Sequence, residues 1–291
     1  MRMRIILIPI ALLLAGCGGS SAAERPGVVA AENVYGDIAA QIAGGRVSVT
    51  SILRDPNADP HLFEPGTSNG LAVAHARLLI ENGLGYDAFV DKLAAAAPSR
   101  NRVTVTVADV LGLHGADANP HLWYDVPRLP LIASAIERGL ERALPGRSAA
   151  FRSGLRRFDA RLAPLTAEVA AIRRAHRGQP VAYTESVPGY LLAAAGLRNV
   201  APESFTRAIE DGSEPPPSAV ADMVRLLRGR RVRVLLYNDQ AVSPITARVR
   251  EAARSAGIPV VGVSETLPPG LTFQAWQLRQ ARALAAALRD E

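Results

Sequence analysis

A short phrase built around a histidine occurs twice in the sequence. DPHLF at residues 59–63 returns as NPHLW at residues 119–123. Proline fixes its own φ and biases the preceding residue toward extended geometry, so each histidine is predicted to lie on a stiff loop. The leucine and the aromatic residue after it are predicted to anchor that loop in a core. Two imidazoles presented in this way, those of His61 and His121, indicate two ligands of one metal ion.

Acidic residues that follow predicted strands are the candidates for completing such a site. Open parallel sheets bind ligands at the carboxyl ends of their strands. Glu185 follows a predicted strand at 181–184, and Glu265 follows one at 258–263. Two imidazoles and two carboxylates suit a divalent first-row cation, because imidazole favours zinc and carboxylate admits manganese. Asp239 also ends a strand, and it either orients a ligand from behind or caps the next helix.

Each of these residues has an ordinary alternative role. A single histidine after proline is often a turn or capping residue, and a glutamate near a helix N-terminus is favoured by the helix dipole. His75 belongs to an apolar helical pattern and is predicted to be structural, whereas His114 is predicted to be exposed to solvent. The duplication of the phrase is what favours metal ligation by His61 and His121.

The elements that would position these residues alternate between strands and helices, which indicates parallel α/β sheets. The first half has predicted strands at 28–31, 47–53, 78–80 and 103–107, with helices at 34–42, 67–75 and 127–144. The second half has predicted strands at 181–184, 232–237 and 258–263, with helices at 189–195, 218–227, 245–256 and 273–288. The polar stretch 204–217, which ends in three prolines, is predicted to be an exposed loop.

A single long amphipathic helix is predicted between the two halves, from Ser148 to about Arg177. Pro164 lies inside it, so a kink or a break is expected there. The predicted fold class is therefore α/β, with two parallel-sheet lobes at 28–147 and 179–291. The helix at 148–178 joins them as a rigid strut, and the metal site lies in the cleft between them.

The first residues read as an export signal. Arg2 and Arg4 precede an apolar stretch at 5–14, which is too short to span a bilayer and ends in LAGC. Small residues before a cysteine are typical of a lipobox, so Cys17 is predicted to carry a lipid; the alternative is an ordinary secretory signal with an incidental cysteine. Residues 18–27 are predicted to be a flexible tether. The protein is therefore expected on the outer face of the cytoplasmic membrane.

Composition excludes several classes of protein. Cys17 is the only cysteine, so the chain has no intramolecular disulfide and no other thiol nucleophile. The net charge is +6, yet no basic run is interleaved with aromatic residues, which argues against nucleic acid as a partner. A cationic surface that faces anionic lipid or cell wall is the simpler interpretation.

Six phrases in one order resemble the metal-binding lipoproteins of bacterial ABC importers for zinc and manganese. They cover essentially the whole chain after the leader: AENVYGDIA at 31–39, DPH at 59–61, NGLGYD at 82–87, NPHLWYD at 119–125, TES at 184–186 and VSETLPPG at 263–270. The resemblance implies two α/β lobes bridged by a rigid helix, with one divalent ion, manganese or zinc, held between them.

The resemblance also implies a ligand set. His61 and His121 match the two first-lobe ligands of the family. The third ligand is histidine in many zinc members and glutamate in many manganese members, and here the position is Glu185. The fourth is commonly aspartate, so Glu265 is a departure. Zinc members often carry a histidine-rich loop before the second histidine, and here that loop holds only His114.

The expected function is capture of manganese or zinc outside the cytoplasm and delivery to an ABC permease by a monomer anchored through Cys17, without catalysis. One alternative is a binding protein for another small solute, such as an iron chelate. Another is an extracellular metallohydrolase, which is disfavoured because the sequence has neither HExxH nor GxSxG. The choice between manganese and zinc stays open.

Overall fold

Two four-stranded parallel sheets, one in each half of the chain, form the framework of the molecule. The computed structural model describes residues 27–57, 60–115 and 117–289. The predicted signal peptide, Cys17 and nearly all of the predicted tether lie outside the described residues. No helix among the described residues combines the length and the apolar character needed to cross a bilayer.

The described residues of the first lobe form four strands and five helices. They are β1 (Gly27–Glu32), α1 (Asn33–Ala43), β2 (Ser48–Leu53), α2 (Thr67–His75), β3 (Leu78–Glu81), α3 (Ala88–Ala96), β4 (Val103–Thr106), α4 (Val107–Val110) and α5 (Leu129–Ala143). Short 3₁₀ helices occur at Pro60–Leu62, Leu122–Tyr124 and Val126–Arg128.

The second lobe follows the long helix α6 (Ser148–His176). Its elements are β5 (Pro180–Tyr183), α7 (Gly189–Ala194), β6 (Arg198–Asn199), α8 (Glu203–Glu210), α9 (Pro217–Arg228), β7 (Leu235–Asn238), α10 (Pro244–Ser255), β8 (Val260–Val263) and α11 (Phe273–Arg289). The predicted fold class is therefore confirmed.

Both sheets share one topology. The strand orders are β2-β1-β3-β4 and β6-β5-β7-β8, with every pair parallel. All carboxyl ends of a parallel sheet meet at one edge, and the order reverses beside the first strand, which is where such sheets bind ligands. This edge is where the predicted ligands after β5 and β8 lie.

Helix α6 runs without a break through Pro164. Proline removes one backbone hydrogen bond from a helix. The proline is exposed, and the apolar residues around it, Phe158, Leu162, Leu165 and Val169, are all buried. Burial of this apolar side holds the helix together, so the break that was considered at Pro164 does not occur.

Three local predictions differ from the structure. The stretch 204–217 is not simply a loop, because α8 occupies its first part and buries Phe205 and Ile209. Helix α3 was not predicted at all. Leu62 of the first histidine phrase is 75% exposed, whereas Leu122 of the second is fully buried, so only the second phrase uses its leucine as a core anchor.

Candidate metal centre

Three of the four predicted ligands come together at the carboxyl ends of the strands. One ligand atom from each of His121, Glu185 and Glu265 lies within 4.8 Å of the other two. All three side chains are buried, with 0%, 1% and 1% exposure. Glu185 and Glu265 each come two residues after a strand, β5 and β8 respectively, and His121 precedes a buried 3₁₀ turn. The first lobe therefore contributes an imidazole, and the second contributes two carboxylates.

Glu265 is held by groups from both lobes. The Tyr86 hydroxyl donates to Glu265 Oε2 at 2.8 Å, and His121 Nε2 lies 3.2 Å from the same oxygen. Asn238 Nδ2 donates to Glu265 Oε1 at 2.8 Å. The longer side chain at this position, which departs from the aspartate common in the family, is therefore fixed at both of its oxygens.

Asn238 links the two carboxylates. Its Nδ2 donates to Glu185 Oε2 at 2.5 Å as well as to Glu265, and its own Oδ1 accepts from the Gln240 backbone N–H at 3.1 Å. Sequence reasoning placed a supporting role on Asp239, but that side chain is exposed and Asn238 makes these contacts. The strand pleat explains the difference, because neighbouring side chains point to opposite faces.

The far side of the His121 ring faces acceptors from both lobes. Nδ1 lies 2.8 Å from Asn119 Oδ1, 3.4 Å from Ser186 Oγ and 3.7 Å from Glu210 Oε1. Asn119 Nδ2 also donates to the Ser186 backbone carbonyl at 2.8 Å. With Nδ1–H directed at Asn119, Nε2 is left facing Glu265 and the centre of the cluster.

The surrounding carboxylates change the acidity of His121. Burial by itself lowers the pKa of this imidazole. The carboxylates of Glu210 and Glu265 outweigh that effect, with a smaller contribution from Glu185, so the pKa of His121 is raised above its ordinary value. In the absence of a cation, a proton on His121 offsets part of the negative charge of the site.

A tight turn in the phrase NGLGYD brings Tyr86 to the site. Gly83 and Gly85 have positive φ, at 83° and 81°, which glycine adopts at little cost. Leu84 between them also has positive φ, at 57°. Asp87 closes the turn by accepting from the backbone N–H of Asn82 at 2.6 Å and of Gly83 at 2.9 Å. Burial, with the Glu265 carboxylate beside it, raises the pKa of Tyr86 well above its ordinary value, so the phenol stays a neutral donor.

The first histidine phrase reaches the same region. Pro60 and Phe63 line a cleft of about 650 Å³ beside the cluster, together with Tyr86, Ser186 and Glu210. The side chain of His61 lies outside the described part of the structure, so its ligation stays a prediction. His75 and His114, the two other histidines considered above, are both exposed.

Hydrogen bonds between the lobes frame the cluster. Asn33 Nδ2 donates to the Leu267 carbonyl, and Leu267 N–H donates back to Asn33 Oδ1, both at 2.8 Å. The Tyr124 hydroxyl donates to the Ser264 carbonyl at 2.6 Å. These bonds join the phrases around 31–39, 119–125 and 263–270, which explains why residues so far apart in sequence belong to one constellation.

The Asn119 contacts lead to a prediction. Replacing Asn119 by alanine removes the acceptor that orients His121 and the bond to the Ser186 carbonyl. We expect the affinity for zinc to fall by about 10- to 100-fold, measured by competition with a chelator. Asn119→Asp keeps an acceptor for His121 Nδ1, loses the donor and adds a negative charge, so its loss of affinity should be smaller; an equal loss in both variants would contradict the orienting role.

The comparisons with known proteins fit this arrangement. The model of the family described as "Zinc-uptake complex component A periplasmic" (ZnuA) matches residues 28–287. The chain belongs to this family. Its members are transport components, so the family is not one of enzymes. The resemblance that the sequence phrases indicated is confirmed.

Curated relatives of the chain carry manganese and zinc in their names. The manganese-binding lipoprotein MntA of Halalkalibacterium halodurans is 34% identical over 128 residues, 42% of each chain, so the match spans less than half of that protein. The zinc-binding protein TroA of Treponema pallidum is 26% identical over 252 residues, 83% of this chain and 79% of TroA. The manganese ABC transporter substrate-binding lipoprotein scaA of Streptococcus gordonii is 24% identical over 260 residues, 82% and 81% of the two chains.

Solved structures show the same fold. The periplasmic zinc-binding protein TroA of Treponema pallidum superposes with a TM-score of 0.78 at 20% identity, covering 91% of this chain and 99% of that chain. FpvC of Pseudomonas aeruginosa, solved with Mn²⁺, gives 0.77 at 19% identity, covering 91% and 99%. At such identities the likeness extends to the ZnuA-family fold, and the roles of individual side chains rest on the contacts described above.

Sequence reasoning missed several polar residues of this candidate site. Tyr86, Asn119 and Ser186 lie inside the phrases that carried the resemblance, so position within those phrases was an available signal. Asn238 and Glu210 lie outside those phrases and had no such signal. Asn238 is the neighbour of Asp239, to which the sequence assigned the supporting role, and Glu210 ends a helix in a stretch predicted to be a loop.

Proposed function

We propose that this protein captures one manganese or zinc ion outside the cytoplasm and delivers it to an ABC permease. One observation supports this proposal above the others. The buried cluster of His121, Glu185 and Glu265 joins the two lobes of a chain that belongs to a family of metal-uptake components. His61, from the loop beside the cluster, is the proposed fourth ligand.

The chemistry of the four side chains suits the cargo. Two carboxylates balance the charge of a divalent cation, and two imidazoles provide the nitrogen donors that zinc and related metals prefer. The ligand atoms of the described cluster all lie within 4.8 Å of one another, which matches a single ion better than an iron chelate. Four protein ligands also leave no open position for a reactive water, which favours transport over hydrolysis.

Delivery follows from the position of the ligands between the lobes. The ion would be gripped by side chains from both lobes, so its binding is coupled to lobe packing. The continuous helix α6 favours small shifts of one lobe against the other over wide hinge closure. Loss of a few interlobe contacts would then be enough to open the site at the permease.

The location and the partners form part of the same proposal. The predicted leader and the lipid on Cys17 would hold the protein as a monomer on the outer face of the cytoplasmic membrane. The relatives MntA and scaA are both named as lipoproteins, which supports the anchor, and scaA is named as part of a manganese ABC transporter, which supports the permease as partner. Neither nucleic acid nor a second protein subunit is needed for the capture step.

Native mass spectrometry of the purified mature chain tests this function. The metal-free protein is titrated separately with zinc and manganese, and we expect one ion per chain for each metal. His121→Ala should lose the ion, whereas His75→Ala, which removes an exposed histidine, should retain it. Because His121 is fully buried, His121→Gln is measured alongside, and circular dichroism confirms that both variants fold. A wild-type chain that binds neither metal would overturn the proposal.

A further inference from the structure

Charge is distributed unevenly between the two ends of the sheets. Among the described residues, the segments that lead into the strands, together with the α5–α6 turn, contain no aspartate or glutamate, and all of them except 256–259 contain arginine; Arg198 is itself the first residue of β6. These segments are 44–47, 76–77, 97–102, 144–147, 177–179, 195–198, 229–234 and 256–259. We call their arginines the basic face: Arg46, Arg77, Arg100, Arg102, Arg147, Arg177, Arg198, Arg230, Arg231 and Arg233.

The opposite ends of the same sheets are acidic. The described segments that leave the strands hold Asp55, Glu64, Asp87, Asp117, Asp125, Glu185, Asp239 and Glu265, against only Arg54 and Arg128. The metal cluster lies at this end. Because every strand pair is parallel, the topology separates the two sets of loops, and the molecule has one cationic end and one anionic end.

Part of the basic face has a structural role. Arg102 is half-buried and donates to the carbonyls of Val73, Ala94 and Ala97, and arginines near helix C-termini are favoured by the dipole. Arg46, Arg147 and Arg230 each donate to a backbone carbonyl. The others form no side-chain hydrogen bond or ion pair with any described residue, and all are exposed: Arg77, Arg100, Arg177, Arg198, Arg231 and Arg233.

The chain enters the fold at this same end. Gly27 is the first residue of β1 and pairs with Ser48, two residues after Arg46. The Arg77 backbone N–H donates to the Gly27 carbonyl at 3.0 Å. The predicted lipid-bearing residue Cys17 precedes Gly27 by ten positions, which an extended chain spans with at most about 35 Å. The chain therefore enters the described fold on the side of the basic face, one tether length from the predicted anchor.

We propose that the basic face lies on the anionic headgroups of the membrane that holds the lipid anchor, with the metal cleft directed away from the bilayer. Guanidinium groups form bidentate bonds with phosphate, and the short tether keeps them close to the bilayer surface. The cleft then faces the medium from which the ion arrives, and the loaded protein must turn on its tether to present the cleft to the permease. This inference goes beyond metal capture and depends only on the anchoring part of the proposed function.

The orientation can be measured on the reconstituted lipoprotein. Because Cys17 is the only native cysteine, Ser99→Cys on the basic end and Val242→Cys on the acidic end each accept a single fluorophore. The labelled proteins are placed in vesicles of phosphatidylcholine with or without phosphatidylglycerol that contain a headgroup-linked quencher. We expect stronger quenching at position 99 than at position 242 in anionic vesicles, and loss of that difference in neutral vesicles or in about 0.5 M salt.

Charge reversal provides the matched comparison. Arg77→Glu, Arg198→Glu and Arg233→Glu together should abolish the difference, whereas Arg54→Glu, Arg138→Glu and Arg248→Glu change net charge equally and should preserve it. The proposal would be overturned if the two labels are quenched equally in the protein with its native arginines. It would also be overturned if the difference in quenching does not change with salt. Neither outcome depends on the charge-reversal variants. Metal binding is measured separately and should be the same in both triple variants.

Discussion

Replacing Glu185 by glutamine is expected to stabilise the metal-free protein and to remove most of its response to metal. Glu185 and Glu265 are both 1% exposed and share the Asn238 amide nitrogen, at 2.5 and 2.8 Å. Two neighbouring carboxylates without bulk water repel each other, and glutamine keeps the size and one acceptor while it removes a charge. Relief of such buried charge is worth about 1–3 kcal/mol of unfolding free energy.

The same substitution removes one of four proposed ligands. Structural zinc sites with four ligands contribute about 10–16 kcal/mol, so one ligand accounts for roughly 3 kcal/mol and more than a hundredfold in affinity. Thermal unfolding with and without zinc measures both effects. At a hundredfold excess over Kd the wild-type chain should gain about 2.7 kcal/mol, or roughly 5–10 °C in Tm, and the variant should gain much less.

Glu214→Gln is the matched control for this experiment. It makes the same chemical change at an exposed position away from the cluster, so both Tm values should equal those of the wild-type protein. A Glu185→Gln chain that is less stable than wild type without metal would show that the carboxylate is needed for folding. A variant with an undiminished zinc response would remove Glu185 from the ligand set.

Acidification is expected to release the ion while it stabilises the metal-free protein. A proton and a metal ion compete for His121, and the pKa of that imidazole is raised by the carboxylates of Glu210 and Glu265 against the opposing effect of burial. Below this raised pKa the affinity for metal should fall by about tenfold per pH unit, because each bound ion must displace one proton. Competition titrations from about pH 5.5 to 8.5 measure the midpoint, which should lie above the ordinary histidine value of about 6.5.

The unfolding free energy of the metal-free protein changes with pH in the opposite direction to the metal affinity. A group whose pKa is higher in the folded than in the unfolded state stabilises the fold fully below the unfolded pKa. That contribution is lost as pH rises through the folded pKa of His121. Metal-free unfolding free energy should therefore decline over the pH range in which metal affinity increases.

Glu210→Gln tests the cause of this pH dependence. It removes the largest of the charges that raise the pKa of His121, and Gln can still accept the hydrogen bond from Ser186 that Glu210 receives. The pH midpoint of metal affinity and the pH midpoint of metal-free stability should both move to lower pH, while one ion per chain is still bound. An unchanged midpoint would mean that Glu210 does not act on His121.

Local sequence patterns were enough for much of the fold. The hydrophobic runs gave the positions of most strands, and strand–helix alternation gave two parallel sheets, because both patterns depend on residues close in sequence. The second histidine phrase behaves as its composition predicts, with Leu122 and Trp123 fully buried behind His121. In the first phrase Phe63 packs against Phe89, but Leu62 is 75% exposed, and two phrases of such similar composition cannot reveal that difference.

Helix α8 shows why other parts were missed. Its buried residues Phe205, Thr206, Ala208 and Ile209 lie on one face of a helix of only eight residues. A helical pattern this short is hard to separate from the polar, proline-rich stretch that follows it. Glu210 at its end approaches His121 only as a result of tertiary packing. Propensity is a weak guide where tertiary contacts decide.

The sequence by itself determined the family and the chemistry of the proposed ligands, because a Pro-His loop and a carboxylate at a strand end are local features. The tertiary structure decided which groups hold those ligands. Asn238 is 53 residues from Glu185, and Tyr86 is 179 residues from Glu265. The first contact depends on the pairing of β5 with β7 within the second lobe, and the second depends on how the two lobes pack across α6. No periodicity along the chain encodes either distance.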